Sequence, residues 1–218
     1  MFYTMTKGWG PLGWATLHSV SALYPDNPSA LEQEMFSRWL VSFTQTILCP
    51  SCMKHFSDAV AAYTHMNPTW KSSRRGVVEF VMRAHNSVNS RNHRKVYAFT
   101  DSIAELEKIL PPAVSPTRRQ EYLSYIRNDW MKNMTMEGIS TAPKIRELIM
   151  IEENYWSKRT FEWYELSVFS DINVSPISNV SSSLTNSGGT LIPRLSMPQG
   201  GFRLRTFGRI GPLSSLRS

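Results

Sequence analysis

The chain runs to 218 residues, with 24 Lys and Arg against 17 Asp and Glu, a formal net charge of +7, and 7 Trp within an 11% aromatic share. That length suits one well-filled core with an appendage, or two small domains, and no apolar run is long enough to span a bilayer. The basic balance draws the chain toward acidic surfaces, and 2 cysteines exclude a disulfide-stapled secreted scaffold.

The opening stretch, Met1 to Trp9, lacks a basic segment followed by an apolar one, so it does not read as a secretion signal. The expectation is a protein made and used in the cytosol. In chain order, Pro11 to Ala22 reads as a helix stopped by Tyr24-Pro25. Ser29 caps the next, in which Leu31, Met35, Trp39 and Phe43 recur near every fourth position. A third helix starts at the cysteine pair and runs to about Met66, where Asn67-Pro68 ends it. Ser72 or Ser73 starts a fourth, with Val77, Phe80, Val81 and Ala84 as its inner stripe. Beyond these, Asp101 or Ser102 caps a short helix to Leu110, stopped by Pro111-Pro112. Ser115-Pro116 opens a helix carrying Tyr122, Ile126 and Trp130. Pro143 opens another, followed by Ile145, Ile149, Tyr155-Trp156 and Trp163. These apolar stripes read as core packing.

The fold class is therefore all-α. A four-helix bundle occupies residues 1–100, a C-terminal helical extension 101–168, and an extended Ser/Gly/Pro/Arg-rich basic tail 169–218. The tail has too little apolar character to fold alone. Its end, Phe202 to Arg209, alternates in part and could lie as a strand on another protein.

Both cysteines fall in Leu48-Cys49-Pro50-Ser51-Cys52-Met53-Lys54-His55-Phe56. A C-x-x-C fits one helical turn, with Cys49 at the N-cap and Pro50 at the first helical position, where a missing N–H costs nothing. A thiolate there faces the positive end of the helix dipole, which lowers its pKa. Two thiols in one turn can close and reopen as a disulfide, so the first reading is redox chemistry. Half of a zinc site completed by histidines, or two inert buried cysteines, are the other readings of the pair alone.

Gly10, Trp14 and His18 lie at intervals of four and share one helix face. Such a row offers close approach, a stacking surface and a hydrogen bond to a flat ligand, or it packs a Trp inward beside a structural His. His85, Asn86 and Asn89 form a polar strip on a helix otherwise built for the core, suited to the edges of a heterocycle. Arg91, Arg94 and Lys95 follow, placed for phosphates or simply a solvated helix end. With no Gly-rich phosphate loop, a Rossmann site is excluded.

Together these pieces resemble the Erv/ALR family of FAD-linked sulfhydryl oxidases. The matching residues are Trp9-Gly10, Trp14, Leu17-His18, Tyr24-Pro25, Cys49 and Cys52 with His55-Phe56, Asn67-Pro68, Ser73-Arg74, His85-Asn86 and Val88-Asn89, all within residues 7–97. The resemblance implies a small four-helix bundle, often dimeric, holding FAD non-covalently. It makes Cys52 the flavin-proximal cysteine and Cys49 the one that exchanges with client thiols. Gly10, Trp14, His18, Tyr24, His55, His85, Asn86 and Asn89 would line flavin and adenine, and Arg94 or Lys95 would meet the phosphates. Client dithiols would become disulfides, with electrons passing through FAD to O2 to give hydrogen peroxide; no metal is implied.

This chain departs from the family at several points. There is no second, structural cysteine pair and no shuttle pair, so a client must reach Cys49 directly or through a thioredoxin-like carrier. The usual V-N-x-x-x-G-K ending becomes Val88-Asn89-Ser90-Arg91-Asn92-His93-Arg94, and Phe80 stands where Trp is common. Small family members without organelle targeting occur in large cytoplasmic DNA viruses. That points to the host cytoplasm and the virion, with extension and tail docking to capsid or other virion proteins. The rival reading is a minor capsid protein built on the oxidase fold and anchored by its tail. Nucleic-acid binding by Arg194, Arg203, Arg205, Arg209 and Arg217 ranks lowest, because these lie apart without regular aromatic platforms.

Overall fold

Among the described residues, helix signals in the sequence become seven α-helices: α1 (Thr6–Leu23), α2 (Ala30–Gln45), α3 (Pro50–Met66), α4 (Arg74–Arg91), α5 (Phe99–Ile109), α6 (Ser115–Lys132) and α7 (Met136–Asn154). Short 3-10 segments follow at Trp70–Ser72, Trp156–Lys158 and Trp163–Phe169. This computed structural model describes residues 6–132 and 136–177, so the tail expectation over 178–218 lies outside the described residues. Among the described residues there is no strand, as the all-α reading requires. No described helix is long and apolar enough to cross a membrane.

The helix starts follow cap chemistry. Ser29 and Glu32 form a capping box on α2, each side chain accepting from the other's backbone N–H. The Ser73 hydroxyl accepts from the Gly76 N–H at 3.2 Å to start α4. Gly76 sits so close to the Trp70 carbonyl that an added Cβ would lie 2.1 Å from its oxygen, which lets the 3-10 turn tuck beneath α4. At its other end α4 closes with His93 in the left-handed region, φ 53°. The Arg94 N–H bonds the Asn89 carbonyl at 2.8 Å and the His93 N–H the Ser90 carbonyl at 3.1 Å, the paired bonds of a Schellman motif.

Three helix starts differ from the sequence expectation. α1 begins at Thr6, not Pro11, because Trp9 is buried and Gly8 lies against the Tyr125 ring of α6. Packing there outweighs the helix bond that Pro11 cannot make. α5 begins at Phe99, not Asp101 or Ser102: Phe99 is drawn into the core, and Asp101 falls in the first turn, where free N–H groups favour a carboxylate. α7 begins at Met136 and runs through Pro143, with Thr141 upstream of it already buried. On α2 the buried row is Phe36, Trp39, Leu40 and Phe43, while Leu31 is exposed. A strict four-residue row drifts about 120° around the helix between positions 31 and 43, so it leaves the inner face.

α1 packs against α4 and α6, α2 against α3 and α7, and α6 against α7. α6 and α7 therefore lie on the α1 and α2 side of the bundle and share its core through Tyr122, Ile126, Leu148 and, just after α7, Trp156, all buried. At that junction Arg119, 1% exposed, donates from Nε to both oxygens of buried Glu152 at 3.0 and 2.9 Å. Its Nη1 donates to the Ser19 and Ser115 hydroxyls at 2.6 and 3.0 Å. Residues 171–177 lie along α4, held by Arg75 to Asp171 at 2.7 Å, the Arg83 Nε–H to the Ser175 carbonyl at 2.9 Å, and the Ile177 N–H to the Ser87 hydroxyl at 2.7 Å.

Candidate active site

The chemistry-bearing residues gather where the N-terminus of α3 meets α1 and α4. Cys49 is the N-cap of α3 and Pro50 its first residue, as the spacing predicts. Cys49 and Cys52 are joined as a disulfide, their Cα atoms 5.1 Å apart. The Cys49 sulfur accepts the Cys52 N–H at 3.2 Å, and the Ser51 hydroxyl lies 3.2 Å from the same sulfur. On reduction, that sulfur would sit among donors at the positive end of a 17-residue helix, an arrangement that stabilises a thiolate. Both cysteines are partly buried against the core. Among the described residues no cluster of three or more His, Cys, Asp or Glu could hold a metal ion.

One turn beyond Cys52, Phe56 is buried and meets the Trp14 ring edge-on, centroids 6.3 Å apart. Trp14 in turn stacks face to face on His85 of α4, at 4.2 Å and 7°. His18 stands one turn after Trp14, and its Nε2 lies 2.8 Å from His85 Nδ1, so one ring donates to the other. Burial, and then the nearby Arg94 charge, pushes the His85 pKa down to about 4. Burial, and then His85, holds His18 well below its ordinary value. Both imidazoles are thus neutral near pH 7. His18 Nδ1 is buried without a protein partner.

The structure brings Trp14, His18 and His85 together, with Arg94 near enough to act on His85. Gly10 lies one turn before Trp14 on α1, and an added Cβ there would meet nothing within 4 Å. Asn89 is buried, and its carbonyl anchors the Schellman turn that presents Arg94. Asn86 is also buried, but its amide bonds the Tyr97 backbone through both N–H and C=O and donates to the Val174 carbonyl at 2.8 Å. Tyr24 stands apart in the core, its ring near Phe36 and its hydroxyl donating to the Lys71 carbonyl at 2.7 Å. His55 is exposed on α3. Arg94 and Lys95 are exposed, and Lys95 reaches Asp101 at 3.4 Å and the Tyr97 ring at 4.7 Å.

Two contributors escaped the sequence reading. Ser51 was a spacer in a C-x-x-C, and its contact with Cys49 follows from the helical turn. Trp130 reads in the sequence as part of the extension's core stripe, yet its indole N–H donates to the Thr46 carbonyl at 3.2 Å, at the turn leading into Cys49. No local signal links positions so far apart in sequence.

The chain is 28% identical over 104 residues to a protein of Acanthamoeba polyphaga mimivirus named probable FAD-linked sulfhydryl oxidase, covering 48% of this chain and 72% of that one. It is 33% identical over 78 residues to the mitochondrial FAD-linked sulfhydryl oxidase of Schizosaccharomyces pombe, covering 36% of this chain and 42% of that one. A protein of Invertebrate iridescent virus 3, also named as an FAD-linked sulfhydryl oxidase, is 33% identical over 85 residues, covering 39% and 56%. No solved structure matches. The profile of the Erv1 / Alr family matches residues 12–108, so the segment that carries Trp14, His18, both cysteines, His85 and Arg94 is similar to that family.

Proposed function

We propose that this chain is an FAD-linked sulfhydryl oxidase that converts client dithiols to disulfides through Cys49 and Cys52, with O2 as electron acceptor and hydrogen peroxide as product. The observation that carries the reading is a disulfide at a helix N-terminus, one turn before Phe56, whose ring meets the stacked Trp14–His85 pair. The residues present fit FAD. Trp14 and His85 offer flat, half-buried rings, His18 Nδ1 is a buried polar atom lacking a partner, and Gly10 leaves open space on the same helix face. Arg94 and Lys95 supply exposed cations for a diphosphate.

In this mechanism a client thiolate attacks the Cys49 sulfur, the Cys49–Cys52 bond breaks, and Cys52 leaves as a thiolate. A second client thiolate then attacks the client sulfur of the mixed disulfide. The new client disulfide forms, and Cys49 leaves as a thiolate held by the Cys52 N–H, the Ser51 hydroxyl and the helix dipole. When bound, FAD would supply the two-electron acceptor for re-forming the Cys49–Cys52 disulfide, with O2 as final acceptor. Trp14 and His85 would hold the bound flavin, and the neutral His18–His85 pair keeps positive charge out of the buried interior beside buried Phe56.

Thiol-bearing proteins or a thioredoxin-like carrier are the clients in this reading. The setting is the host cytoplasm and virion of a large DNA virus, which two relatives of viral origin support. Homodimerisation, and docking of the tail on capsid proteins, belong to the same proposal. Purified protein is expected to show the visible absorbance band of a bound flavin and to consume O2 with dithiothreitol, with Cys49→Ser or Cys52→Ser reducing turnover to background. A preparation that stays colourless after incubation with FAD overturns the reading.

A further inference from the structure

The turn from α2 into Cys49 is buried before it reaches the sulfur: Thr46 is fully buried and Ile47 4% exposed. Thr46 caps α2, its N–H bonding the Ser42 and Phe43 carbonyls at 3.2 and 3.1 Å and its hydroxyl donating to Phe43 at 2.9 Å. The carbonyls at a helix C-terminus have no partner within the helix, so a buried one needs an outside donor. For Thr46 that donor is the Trp130 indole N–H, 3.2 Å away. Trp130 belongs to α6, which lies outside the family-matching residues 12–108. Two turns earlier on α6, Tyr122 is wholly buried and stacks on Phe43, with centroids 5.2 Å apart. α6 therefore holds the end of α2 at two points, one an aromatic face and the other a hydrogen bond three residues before Cys49.

We propose that Trp130 is a positioning residue for the redox pair: by bonding the Thr46 carbonyl it fixes where Cys49 enters α3, and so makes the helical extension part of the thiol chemistry. This rests on the reading of Cys49–Cys52 as a working redox couple. A pinned entry raises the effective concentration of one thiol beside the other and favours the closed disulfide. Without it, Cys49 samples more positions and the dithiol gains.

The test is Trp130→Phe in the full-length protein, which keeps an aromatic ring and removes the donor. Hydrogen exchange at Ile47 and Leu48 is expected to speed up about tenfold while the Val77–Val81 amides of α4 stay unchanged. The Cys49–Cys52 equilibrium with glutathione is expected to move about threefold toward the dithiol. Unchanged exchange at Ile47 and Leu48 together with an unchanged glutathione equilibrium overturns the proposal. If the variant does not fold, the wild-type indole N–H decides by NMR: slow exchange supports the bond to Thr46, and exchange at the rate of a free indole overturns it. None of these readouts uses flavin or O2. A colourless, inactive wild type with a loosened variant would sink the oxidase reading alone. An active wild type with a silent variant would sink the brace alone.

Discussion

His93 carries the strained backbone of α4's last turn, in a position where glycine sits without penalty. The family pattern has glycine there, and the Schellman bonds from Arg94 and His93 show that the turn is made anyway. A left-handed non-glycine residue costs roughly 1 kcal/mol. His93→Gly is therefore expected to stabilise the fold by about that amount, read as a higher thermal midpoint. The buried imidazoles set a second residue-scale expectation. His18 and His85 lie below the ordinary value of 6.5 in the fold, His85 at about 4, so the unfolded chain binds protons first as pH falls. Stability is thus fully present above about pH 6.5 and is lost toward about pH 4, by at most about 1.4 kcal/mol per pH unit for each ring. Urea midpoints taken from about pH 7 to about pH 5 check this, with His85→Phe giving a shallower slope. At this scale the sequence read well where chemistry was local. Cys49 and Pro50 announced a helix start, and Trp14 and His18 announced a shared face. It read poorly where a partner was distant, as with Asn86, whose amide is taken up by Tyr97 and Val174.

The same division holds for elements. α2, α3 and α4 begin where their caps predict, because Ser29, Cys49 and Ser73 satisfy their own helix N-termini. α1 and α7 run through prolines that a local rule treats as helix openings, and tertiary packing overrides that rule. The buried ion pair between α6 and α7 was likewise invisible, since Arg119 looks like any charge in a basic run. Removing one partner leaves the other charge buried and unmatched. Arg119→Met is therefore expected to cost about 3–5 kcal/mol in urea denaturation, and Arg119→Met with Glu152→Leu to recover most of it.

For the whole molecule, the family-matching segment shares its apolar core with the helices that follow it. Tyr122, Ile126, Leu148 and Trp156 cover α1 and α2, and the described residues fall within one compact unit. A fragment ending at Lys108 would expose that apolar face to water, at roughly 25 cal/mol for each Å² uncovered. Circular dichroism of such a fragment is expected to show no cooperative melting, where the full chain melts in one sharp step. The sequence suggested docking parts appended to a finished bundle. In the structure α6 and α7 pack on α1 and α2 and share their core, a contact that depends on which faces meet and that periodicity alone does not reveal.

Because the redox sulfur of Cys49 is also the atom that seats the first turn of α3, gaining or losing an electron pair leaves the scaffold's anchor in place. Opening the Cys49–Cys52 bond is therefore expected to leave the start of α3 in place.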